Sequence, residues 1–155
     1  MRADSFRDLF DYHIDANRRL WESSVMTLTD GQFSQKLDYS VGSIRNQCVH
    51  LMTVDERWFC SLRRVEVPRM LNPVHYPRRE KIRAYWDRVE GEMRAYLAYL
   101  DDDQLEDFLD DMPTWAVLQH IVLHGVDHRA QMLAALRMLG APTYSQDFIL
   151  RYWKR

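Results

Sequence analysis

Two histidines stand four residues apart in His124-Gly125-Val126-Asp127-His128, and a third, His120, lies one turn earlier. On a helix, residues i and i+4 stack along one face, so His124 and His128 can aim two ring nitrogens at one point. Neutral imidazole is the commonest nitrogen ligand of zinc and its neighbours, so the chemistry this spacing offers is metal binding. No glutamate of the HExxH type lies between the pair, and the same spacing also suits two core rings held by hydrogen bonds. Two buried imidazoles on one face still need an explanation, because an unpaired buried polar group costs about 1–3 kcal/mol. A metal would require a third ligand. His50 is the best placed, with His13 as its competitor, whereas His75 sits among prolines and reads as a surface residue.

These residues must be carried by helices. Apolar positions recur at helical spacing from Asp4 to Leu28 (Phe6, Phe10, Ile14, Leu20, Trp21, Val25, Leu28), and Thr29-Asp30-Gly31-Gln32 then reads as a break with a capping box. A second helix starts at Ser40 or Ser43 and runs to about Val65, its stripe centred near Leu51, Val54 and Trp58 with His50 on the flank. Pro68, Pro73 and Pro77 make the next link irregular, and a third helix follows from about Arg78 to Leu100. The acidic connection from Asp101 to Asp111 reads as a solvated loop with one helical turn. The fourth helix starts at Pro113-Thr114 and ends at Gly140, which fits a left-handed cap. Within it Val117, Ile121, His128 and Ala135 share the His124 face to within about 60°, which turns both histidines inward. Nothing reads as a strand. The expectation is an all-α, four-helix bundle forming one domain over residues 1–155, with Phe148, Ile149, Tyr152 and Trp153 packing back on it as a tail. The links after the second and third helices, about 12 residues each, are long enough to cross the bundle.

A net charge of -2 and a pI of 6.3 give no electrostatic reason to expect nucleic acid as a partner. There is neither a signal-like N-terminus nor an apolar run long enough for a membrane, so a cytoplasmic protein is expected. Cys48 and Cys60 have no metal spacing and are expected as buried, reduced thiols. Trp58, Trp86 and Trp115 suit either a pocket wall or the core. Arg57 and Arg129 suit either an anionic substrate or a plainer role, reaching solvent or making ion pairs. Asp127 and Gln131 are the nearest polar neighbours of the histidine pair.

The order of these pieces resembles the DinB-like family of bacterial four-helix proteins over nearly the whole chain. The likeness lies in Tyr12 and Ala16-Asn17-Arg18-Arg19-Leu20, in Val41-Gly42-Ser43-Ile44-Arg45-Asn46 followed by His50-Leu51 and Glu56-Arg57-Trp58, in His120 through Gln131, and in Leu139-Gly140-Ala141-Pro142 with Asp147-Phe148-Ile149. The resemblance implies a divalent metal, zinc or nickel first and iron next, held by His50, His124 and His128. The family often has glycine where Ala130 stands, and His120 matches a neighbour of the site rather than a ligand. It further implies a homodimer acting on a small-molecule substrate as an S-transferase that uses a low-molecular-weight thiol. A metal with open positions would lower the pKa of a water or hold a thiol as thiolate. The other reading is a non-catalytic, metal-binding, stress-related dimer.

Overall fold

The structure is a computed structural model and describes residues 2–153. Helix α1, Ala3–Ser23, buries Phe6, Phe10, Ile14, Leu20 and Trp21 along one stripe that also carries His13 and Asn17. It ends short of Leu28 because Ser24 leaves helical geometry (φ -130°, ψ -57°). The 3-10 turn Val25–Thr27 follows, and its three-residue repeat keeps Val25 and Leu28 buried on one side. The capping box forms as expected: Thr29 Oγ1 accepts the Gln32 N–H and Gln32 Oε1 accepts the Thr29 N–H, opening the short helix α2, Asp30–Ser34.

Helix α3 spans Ile44–Leu62 and is capped by Ser43, whose hydroxyl accepts the Asn46 N–H. It stops before Val65 because Arg64 turns left-handed (φ 54°) and the Val65 N–H folds back to Cys60 O. Its buried stripe runs through Ile44, Cys48, Met52, Asp55 and Phe59. That is a rotation away from the expected centre: Val54 and Trp58 are half-buried and share the flank of His50. Cys48 and Cys60 are buried and free, and burial pushes the Cys48 thiol up to about 12.

Helices α4 (Arg79–Tyr99) and α5 (Thr114–Met138) complete the four long elements, and α5 closes at left-handed Gly140 (φ 78°). Between them lies the expected helical turn, Gln104–Glu106, and also an unexpected ladder of β1 (Phe108–Leu109) against β2 (Met112–Pro113). Asp110 supplies the left-handed turn residue (φ 52°), and two-residue strands are too short to show alternation in sequence.

Both α1 and α3 pack on α4 and α5, which sets α1 diagonally across from α3 and α4 across from α5. The crossovers are therefore the α2-containing link and the acidic link. The proline-rich link, though long enough to cross, joins neighbours. The chain is an all-α bundle, and among the described residues no helix is long and apolar enough to cross a membrane.

The apolar interior comes as two clusters. One gathers around Trp21, Met52, Trp86 and Leu136, the other around Phe10, Phe59, Met93 and Ile121. Between them, at the same height on each helix, lie His13 and Asn17 of α1, Asp55 and Glu56 of α3, Glu90 of α4 and Arg129 of α5, all buried. The tail docks on α1 through Tyr144 OH to Ala16 O, Tyr12 OH to Gln146 O and Arg151 to Asp8 and Asp15. Among its apolar residues Phe148 packs edge-on against Tyr12 and Tyr152, yet Phe148, Ile149, Tyr152 and Trp153 all stay exposed.

Candidate metal centre

The α3–α5 contact brings His50 against His124 and His128. His50 Nε2 and His124 Nε2 are 3.3 Å apart, and the His128 ring lies 4.5 Å from that of His50 and 4.3 Å from that of His124. One ligand atom from each of the three falls within 4.8 Å of the others, and among the described residues no thiol or carboxylate joins them. All three rings are half-buried. Two nitrogens bound tetrahedrally to zinc at about 2.0–2.1 Å stand about 3.3 Å from each other, so the His50–His124 spacing suits a shared ion. The same distance serves an N–H···N hydrogen bond between neutral rings.

The second ring nitrogens differ in what they meet. His128 Nδ1 donates to Gln47 Oε1 at 2.8 Å, leaving Nε2 toward the cluster. His124 Nδ1 is buried and has no partner among the described residues, so this ring is held through Nε2 alone. Desolvation lowers the pKa of all three imidazoles. His124 is pushed down to about 4, with the neighbouring His128 and His50 adding to the burial and Asp55 opposing it. Neutral rings are the form that ligates. The residues present fit a divalent ion.

His13 lies elsewhere. It is fully buried, accepts from Arg129 Nη1 on Nδ1 at 3.3 Å, and faces Asp55 Oδ2 through Nε2 at 3.3 Å. His120 is exposed at the rim, its ring 5.9 Å from His124 and 5.4 Å from Trp58, and His75 is on the surface as expected. Arg129 departs from two of the roles expected of it, the solvent-reaching and the substrate-binding one. It neither meets solvent nor lies open to substrate, but is sealed in the polar layer, donating to Asn17 Oδ1 at 2.8 Å and Gln146 Oε1 at 3.0 Å. Arg57 is half-buried, donates to Pro68 O, and lines a cavity of about 280 Å³ with Val54, Trp58, Ser61 and Val67. Trp86 is core, and Trp115 packs on the second cluster. Asp127 is exposed and accepts from Gln131.

Gln47 and Asp55 escaped the sequence reading. Each is a polar residue on the buried stripe of α3, and centring that stripe on Cys48 and Met52 in place of Val54 would have exposed both.

The profile of the DinB family matches residues 3–154. In structure the chain is similar to a DinB-like protein from Bacillus cereus ATCC 10987, with a TM-score of 0.72 and 18% identity over 93% of this chain and 97% of that one. At that identity the likeness is one of fold. No curated protein matches the chain in sequence.

Proposed function

The chain belongs to the DinB family, and from that premise we propose that it is a divalent-metal enzyme of the low-molecular-weight-thiol S-transferase type. His50, His124 and His128 are the ligands in this reading, with zinc or nickel first and iron next. The observation that carries it is the convergence of three neutral imidazoles without a fourth protein ligand among the described residues, because open positions mark catalytic rather than structural sites. An ion held there supplies Lewis acidity, which favours the ionised form of a thiol or water brought beside it.

The protein's own residues supply the rest. Half-burial of the three rings keeps them neutral and excludes part of the solvent. The cavity lined by Val54, Arg57 and Trp58, which begins one turn along α3 from His50 and is lined by none of the three histidines, is the place this reading gives to an apolar acceptor. There Arg57 is the cation that would meet an anionic group on it. The reading extends to a cytoplasmic homodimer acting on a small molecule.

Metal content decides first. Tag-free protein is expected to retain about one divalent ion per chain, and the His124→Ala/His128→Ala variant to lose it with helicity intact. The loaded protein should then speed the disappearance of a small thiol in the presence of an aryl halide, the sulfur replacing the halide. No metal uptake by the wild type from zinc or nickel would remove the reading. Uptake without any thiol consumption would leave a metal protein that is not a transferase.

A further inference from the structure

The bond from His128 to Gln47 is the first of four that run in one direction. Gln47 Nε2 donates to Ser40 Oγ at 2.8 Å, the Ser40 hydroxyl donates to Gln131 Oε1, and Gln131 Nε2 donates to Asp127 Oδ2 at 2.9 Å. Gln47 Nε2 also approaches Gln131 Oε1 at 3.3 Å. An ionised carboxylate only accepts, so Asp127 dictates the order. It draws the amide nitrogen of Gln131, which turns Oε1 to Ser40. Ser40 spends its single hydrogen there and offers a lone pair to the Gln47 nitrogen. Gln47 Oε1 is then left facing His128, where only an N–H satisfies it. Reversing Gln47 would set two carbonyl oxygens, its own and that of Gln131, on the one hydroxyl hydrogen of Ser40.

Ser40 holds its place at a conformational cost. Its φ is 50°, in the left-handed region that glycine adopts freely and an L side chain does not. Neither serine expected at the start of α3 is redundant: Ser43 caps the helix, while Ser40 makes no cap and joins this chain of bonds. Chains of aligned hydrogen bonds polarise one another, and outer partners of this kind set which nitrogen of a histidine is free.

We propose that Ser40 is a positioning residue for the histidine cluster, relaying the orientation set by Asp127 through Gln131 and Gln47 so that His128 is the Nδ1–H tautomer with Nε2 free. The consequence for ligation rests on the metal reading above, but the tautomer belongs to the protein itself and is measured without metal.

Two variants separate positioning from folding. Ser40→Ala removes the hydroxyl and keeps the strained backbone, whereas Ser40→Gly removes both. In metal-free protein, nitrogen-15 spectra of the histidine rings should show His128 as Nδ1–H in the wild type and as a mixture in both variants. Zinc affinity, measured by competition with a chromophoric chelator, should weaken about tenfold in each. Ser40→Gly should nonetheless unfold at no lower denaturant concentration than the wild type, a combination a merely structural serine does not give. An Nε2–H ring at His128 in the wild type overturns the proposal, as does an unchanged tautomer in both variants. A wild type that takes up no zinc defeats the metal reading instead, and a tautomer shift in the variants would still support the relay.

Discussion

Arg129 keeps a guanidinium where no solvent reaches it, and the residues around it explain how. Its Nη1 meets Asn17 Oδ1 and His13 Nδ1, its Nε meets Gln146, and the Tyr12 ring lies 5.6 Å from its centre. Desolvation lowers its pKa, with the Tyr12 and Asp55 groups acting against that shift. Asp55 is the opposite charge of the same layer, reached through His13. Removing one member of a buried, charge-balanced set leaves the other uncompensated, which costs about 3–5 kcal/mol. Arg129→Met, close in length and apolar, is therefore expected to lower unfolding free energy by about that much in denaturant titrations. A loss under about 1 kcal/mol would show that water enters the layer and that Asp55 does not depend on it. Arg129→Lys should rescue little, since a single ammonium cannot span Asn17 and Gln146 as the planar fork does.

On the scale of elements, the place where α1 meets α5 is decided by one missing side chain. A Cβ at Gly125 would stand 2.3 Å from His13 Cε1 and 2.6 Å from Nδ1, distances that rigid ring atoms do not tolerate. In an exposed helix interior, Gly→Ala stabilises by up to about 1 kcal/mol. Here the sign should reverse: Gly125→Ala is expected to destabilise by about 1–3 kcal/mol as overpacking, and His13→Ala in the same chain should restore part of the loss. A Gly125→Ala protein as stable as the wild type would mean that the helices separate freely. The same contact shows why some elements could be read from the chain and others could not. Helix positions follow from apolar spacing and caps, so α1, α3, α4 and α5, the Thr29 box and the Gly140 stop were legible, whereas the ends of α1 and α3, set by the backbone at Ser24 and Arg64, were not. The convergence of His50 with His124 and His128 was legible only as one of two options, because spacing fixes a face but not which helix lies opposite. The diagonal placement of α1 and α3 depends on how complementary faces match across the core. That information is carried by Gly125, Asn17 and Asp55 together and by none of them alone.

The whole molecule is best described as two apolar clusters with a charged layer between them and three neutral imidazoles at its side. That arrangement predicts a direction for acid sensitivity. His124 titrates near 4 in the fold against an ordinary value of 6.5, and His50 and His128 are also lowered. As pH falls below 6.5 the unfolded chain takes up protons that the folded protein refuses, so stability is lost between that point and about 4 and is insensitive to these groups above it. Denaturation midpoints of metal-free protein should fall from pH 7 to pH 5, and His124→Asn should flatten that slope. A midpoint that rises on acidification contradicts the assignment.

The charged layer has a further effect on how the helices can move. Helices that meet only through aliphatic side chains can slide by one turn, about 5.4 Å, and bury nearly the same area. Here such a slip of α1 would draw His13 and Asn17 away from Asp55 and Arg129 and press them into one of the apolar clusters. Translation along the bundle axis is thus latched at the height of Gly125, which sits between His124 and His128 in the chain. The latch keeps α5 from creeping against its neighbours, so the histidine spacings are protected from axial drift by residues that never touch the cluster.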